Sequence, residues 1–168
     1  MIETPQEYTD RILGYQEGQE PLKIQRTTAK KIERLIKGVP KKMLMTRPEP
    51  TKWSIAEIIA HLADTELVGG FRMRLILGEN GVAIQAFDQD VWAGKFEYRK
   101  RDPQQSLAAF RALRENNLAL IKSIPKAMWD NYGMHSERGK ESVTRVVHMF
   151  AGHDLNHLGQ IERILKRK

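Results

Sequence analysis

At 168 residues, 40% hydrophobic and 29% charged, with no cysteine, the chain fits one folded domain over residues 1–168 and excludes disulfides, thiolate nucleophiles and cysteine-based metal sites, so any metal must draw on histidine, carboxylate or water. Lysine and arginine outnumber aspartate and glutamate by 28 to 21, a net charge of +7, but the basic residues are scattered and no aromatics interleave with them, which argues against a nucleic-acid partner. The start, Met1-Ile2-Glu3-Thr4-Pro5, lacks the basic and apolar regions of a signal peptide, and no stretch reaches the ~18 apolar residues of a membrane span, so a cytoplasmic protein without membrane contact is expected.

In chain order, a short helix from about Pro5 to Tyr15 ends near Gly14 and Gly18. A longer one follows from about Pro21 to Lys37, with Leu22, Ile32, Leu35 and Ile36 as its apolar stripe and Gly38-Val39-Pro40 as its stop. Arg47-Pro48-Glu49-Pro50 must be a loop, because each proline removes a donor and biases the preceding residue toward extended backbone. Ser54-Ile55-Ala56-Glu57 then reads as a capping box that opens a strong helix from about Ile55 to Leu77. Gly78 to Arg101 is longer than a simple bundle connection needs and predicts a crossover, partly helical around Phe87-Asp88-Gln89-Asp90-Val91-Trp92-Ala93, with Phe87 and Trp92 lining a cavity. Asp102-Pro103 starts the next helix, to about Ser123 before Pro125, and a last helix runs from about Ser142 to Lys166. His135 falls in a loop from Gly133 to Lys140. Four long helices with a long crossover between the second and third predict an all-α four-helix bundle.

His153 and His157 are four residues apart and share one helical face, a spacing that serves two ligands of one metal but also occurs in surface histidine pairs. The phase separates these readings. At about 100° per residue from Val143, the stripe Val146, Phe150, Ile161 and Ile164 falls between about 300° and 0°, and His153 and His157 fall near 280° and 320°. Two imidazoles in an apolar stripe need partners, since each unpaired buried polar group costs about 1–3 kcal/mol, and a metal ion satisfies both. His61, on the flank of Ile55, Ile58, Leu62 and Ile76, is the candidate third ligand; its other reading is a core histidine bonded to a carbonyl. His148 points away near 140°, and neither it nor His135 should join the site. Asp154, near 20°, either orients the imidazoles or pairs with an arginine across the bundle. Gln160, Asp64 and Thr65 lie about a turn beyond the ligands and either border the open coordination position or are structural.

Three segments, Trp53 to Asp64, Ala86 to Ala93 and Ala151 to Ile161, together resemble the DinB-like (DinB/YfiT) superfamily of bacterial metal-binding four-helix bundles. The resemblance implies a divalent ion, zinc or nickel, on His61, His153 and His157, a homodimer, and a low-molecular-weight thiol as substrate. A metal-bound water or thiol would be the catalytic nucleophile, in S-transfer or hydrolysis. The rival function is a non-catalytic bundle stapled by its metal, acting as a dimerising or ligand-holding scaffold.

Overall fold

The long helices begin where side chains satisfy their first backbone amides. Ser54 Oγ accepts from the Glu57 amide at 3.2 Å while Glu57 Oε2 accepts from the Ser54 amide at 2.8 Å, the reciprocal cap expected from the sequence. Asp102 Oδ1 accepts from the amides of Gln104 and Gln105 ahead of Pro103, and Ser142 Oγ accepts from the Arg145 amide. In the computed structural model, which describes residues 3–167, these caps open α4 (Ile55–Gly78), α6 (Pro103–Ser123) and α7 (Val143–Lys166). Before them come α1 (Pro5–Tyr15), α2 (Pro21–Ile36) and the unforeseen single turn α3 (Lys41–Met45).

Helices α2, α4, α6 and α7 form the four-helix bundle: α4 lies against α6 and α7, and α2 against the same two. α1 packs across α7. Gly152 permits that crossing, because a Cβ there would collide with the carbonyl oxygen of Ile12.

The crossover is partly helical, as the sequence predicts, and also carries a strand that the sequence does not show. It holds a strand, β1 (Val82–Ile84), before the expected helix α5 (Gln89–Lys95) and a 3-10 turn at Tyr98–Lys100. The stretch expected as the Gly133–Lys140 loop is instead a hairpin of β2 (Tyr132–His135) and β3 (Gly139–Ser142), with β1 added in parallel to β2 at the register Ala83 to Met134. Two local features make the hairpin: Gly139 adopts φ +70°, and His135 Nδ1 accepts from the amides of Glu137 and Arg138 at 3.2 and 3.3 Å.

The core has two apolar clusters. One includes Ile32, Ile59, Leu62, Phe110 and Ile161; the other includes Met73, Ile76, Ile121, Val143 and Val147. Along each bundle helix a polar residue falls between them. Arg114 of α6 donates to Asp154 of α7 at 2.5 and 3.0 Å, to Glu66 of α4 at 2.8 Å and to the Gln25 carbonyl of α2 at 3.1 Å. Asn117 Nδ2 donates to Glu66 Oε1 at 2.8 Å. All of these side chains are buried. Removing one partner of a buried ion pair strands the other, which costs about 3–5 kcal/mol. Arg114→Met is therefore expected to lower the unfolding free energy by about that amount in urea melts, with far-ultraviolet circular dichroism checking that the helices persist before the transition.

Candidate metal centre

The adjacency of α4 and α7 turns three separate sequence positions into one cluster. His61 Nε2 lies 3.0 Å from His153 Nε2, which lies 3.1 Å from His157 Nε2, and all three side chains are buried. Among the described residues this is the one group of three or more His, Cys, Asp or Glu side chains whose donor atoms all lie within 4.8 Å of one another. Nitrogens on a metal with bonds of ~2.0–2.1 Å stand ~2.9 Å apart at right angles and ~3.3 Å apart at the tetrahedral angle. Both separations fall between those limits, so the triad fits a divalent ion.

The electrostatics suit the same role. Burial pushes the His157 imidazole down to about 4, against the opposing influence of Gln160 and Asp154. Burial, reinforced by the neighbouring imidazoles, holds His61 and His153 well below the ordinary histidine range. All three are neutral at pH 7 and carry the lone pairs a cation needs. His157 Nδ1 donates to Gln160 Oε1 at 3.0 Å, which leaves its Nε2 as the acceptor facing the cluster. The Thr65 hydroxyl stands 3.4 Å from both ring nitrogens of His61, and Trp53 packs against that ring with centroids 4.9 Å apart.

Two expected neighbours turn elsewhere. Asp154 points into the bundle and pairs with Arg114, the cross-bundle ion pair, because one residue of α-helix rotates it about 100° from His153. Asp64 accepts from the Tyr98 hydroxyl at 2.7 Å and from Arg101 at 3.0 Å, tying α4 to the 98–100 turn instead of bordering the triad. Gln160 and Thr65 do border it. His148 is bonded to Gln16 of α1 at 3.0 Å and His135 sits in the hairpin, so neither joins the cluster.

The triad opens on a cleft of two lobes, of about 450 and 310 Å³. His157 lines the first, His61 and His153 line the second, and Tyr8 and Gln89 line both. Phe87 lines the second lobe, whereas Trp92 stacks between Phe87 and Phe96 and lines neither. Tyr8 carried no signal in the sequence, since nothing local says that α1 folds back over α7.

A profile described as the DinB superfamily matches residues 25–161. The chain belongs to the DinB superfamily. A Bacillus licheniformis relative, provisionally named a metal-dependent hydrolase, is 29% identical over 116 residues, covering 68% of this chain and 66% of its own length. A relative from Oceanobacillus iheyensis with the same provisional name is 27% identical, covering 69% of this chain and 67% of its own. The solved structure of YfiT from Bacillus subtilis, described as a probable metal-dependent hydrolase with an unusual four-helix bundle topology, superposes with a TM-score of 0.82 at 20% identity, over 88% of this chain and 85% of that one. This DinB-superfamily chain thus shares its four-helix bundle fold with YfiT.

Elemental analysis of the purified protein is expected to find about one divalent ion per chain, lost in His157→Ala and kept in His148→Ala; full occupancy in the first variant would exclude the triad as the site. A second expectation concerns the metal-free protein. His157 takes up a proton near 6.5 when unfolded but only near 4 when folded, so acid favours the unfolded chain and stability falls as pH drops through that window. Urea midpoints at pH 7 and pH 5 should show a smaller loss in His157→Ala than in the parent.

Proposed function

We propose that this DinB-superfamily protein is a metal-dependent enzyme in which His61, His153 and His157 hold one zinc or nickel ion that activates a small nucleophile. The observation that carries the reading is that three convergent, neutral imidazoles border an open cleft. A purely structural site is normally closed by four protein ligands, whereas three ligands facing a cavity leave room for an exchangeable one. Such an ion, when bound, supplies Lewis acidity that lowers the pKa of a water or thiol and polarises an electrophile.

The chain's own groups prepare the site for this. Gln160 fixes the tautomer and ring plane of His157, and Trp53 and Thr65 both contact the His61 ring. Burial keeps the three rings from competing for protons near neutral pH. Tyr8 and Gln89 stand where the two lobes meet and would flank a substrate spanning both.

Hydrolysis is supported by the names of the relatives, and transfer of a low-molecular-weight thiol by the resemblance carried by the three sequence segments. Both need the same activated nucleophile, and they differ in what enters the cleft. The metal-loaded protein should be assayed on activated esters and amides in water, and separately on small thiols with a chromogenic electrophile such as 1-chloro-2,4-dinitrobenzene. Turnover that disappears with chelator and in His157→Ala is expected in one panel, and the panel names the reaction. Silence in both, with X-ray absorption counting a fourth protein ligand on the metal, would favour the metal-stapled scaffold instead.

A further inference from the structure

The first lobe of the cleft has an unbalanced charge. Arg11, Lys52, Arg163 and Arg167 line it, against Glu49 and Asp90. Ion pairs account for two of the cations, Arg11 with Glu3 at 2.7 Å and Arg167 with Glu49 at 2.6 Å. Asp90 lies within the field of Arg47, just outside the lobe. Lys52 and Arg163 are left over: among the described residues neither side chain makes an ion pair or a hydrogen bond.

Their placement follows the shape of the lobe. It is lined along α7 by His157, Gln160, Arg163, Ile164 and Arg167, and by residues 48, 49 and 51–53 of the loop before α4. Arg163 stands six residues beyond His157, ~9 Å along the helix axis. Lys52 lines the same lobe from the loop, beside Trp53, the residue that packs on His61. The rest of the lining is mixed, with Trp53, Ile58 and Ile164 apolar and Gln160 and Asn156 polar. Tyr8 adds a phenol whose hydroxyl has no partner among the described residues and which burial keeps protonated, hence a donor.

We propose that this lobe selects an elongated substrate bearing an acidic group, a carboxylate or phosphoryl, held by Lys52 and Arg163 while the reactive end reaches the histidine triad. The inference rests on the triad being a metal centre with an exchangeable position, and it adds the class of molecule that position serves. Arginine and lysine here act at a distance from the reacting atoms, so they set affinity and choice of substrate and leave the chemistry to the metal end.

The cobalt(II)-loaded protein tests this with two probes of equal length, 6-mercaptohexanoate and 6-mercaptohexanol, whose binding is read from the sulfur-to-cobalt charge-transfer band. The acid should bind about tenfold more tightly than the alcohol, the size of two partly screened charge contacts. The preference should shrink with added salt and vanish in the Lys52→Met/Arg163→Met double variant, with the affinity for the alcohol unchanged. Equal affinities in the parent, or a preference that survives the double variant, would overturn the proposal.

A second measurement reads the lobe without a thiol. Backbone amide shifts of the zinc-loaded protein on adding hexanoate should move at Lys52, Trp53, Gln160 and Arg163, and hexanol should not reproduce them. Absence of acid-specific shifts overturns the anion site. A silent cobalt spectrum together with acid-specific shifts upholds it, and counts instead against nucleophile activation at the triad.

Discussion

Arg114 is the group around which the bundle closes. From α6 its guanidinium reaches Asp154 on α7, Glu66 on α4 and the Gln25 carbonyl on α2, so one side chain touches all three of the other bundle helices. Charges taken out of water are expensive, and two carboxylates against one guanidinium leave a negative charge in excess. Asn117, donating to Glu66, offsets part of that. An apolar seam could slip by a turn and still find apolar neighbours. Here a slip would strand buried charge, so the cluster sets the axial register of α4 against α7.

That register is what the triad depends on. Asp154 follows His153 directly, and Glu66 comes one residue after Thr65, which stands over the His61 ring. On each helix about 100° separates the residue that faces the cleft from the neighbour that faces the bundle interior. The ion cluster and the histidines are therefore back to back, and positioning one positions the other. Nor is the coupling only steric: the positive charge of Arg114 adds to the burial and neighbouring imidazoles that hold His153 unprotonated. A bundle joined at this level by leucines alone could be as stable, but it would not aim three ring nitrogens at one point.

Much of this was legible from periodicity and much was not, and the division is physical. The caps at Ser54 and Asp102 and the phase of His153 and His157 depend on residues three or four apart, so the sequence displays them directly. His61 needed one further inference, that its helix lies beside the last. The partner of Asp154 could not be read, because Arg114 is forty residues away on a helix whose rotation about its own axis is set by packing. The hairpin was missed for a related reason. Its strands are four residues each, Gly133 interrupts the apolar alternation, and its turn is held by a histidine ring that accepts two backbone amides, a role His135 does not advertise. No sequence pattern ties Tyr8 to the cleft either; α1 reaches it through the bare backbone of Gly152.

The limits of the family match bear on how such a site can be shared and yet differ. His61, His153 and His157 and the Arg114 cluster all fall within residues 25–161, the matched span. Tyr8 and Arg11 precede it, and Arg163, Ile164 and Arg167 follow it, though all of them line the first lobe. The histidine triad and the ion cluster thus sit within the matched span, while five of the residues that line the first lobe lie outside it. Both flanks still pack on the bundle, since Ile12 is fully buried and Ile164 and Leu165 pack against the first apolar cluster. A fold organised this way places the histidine constellation on the matched bundle and part of the cleft wall on the segments that flank it, so the two can differ independently between proteins that share the fold.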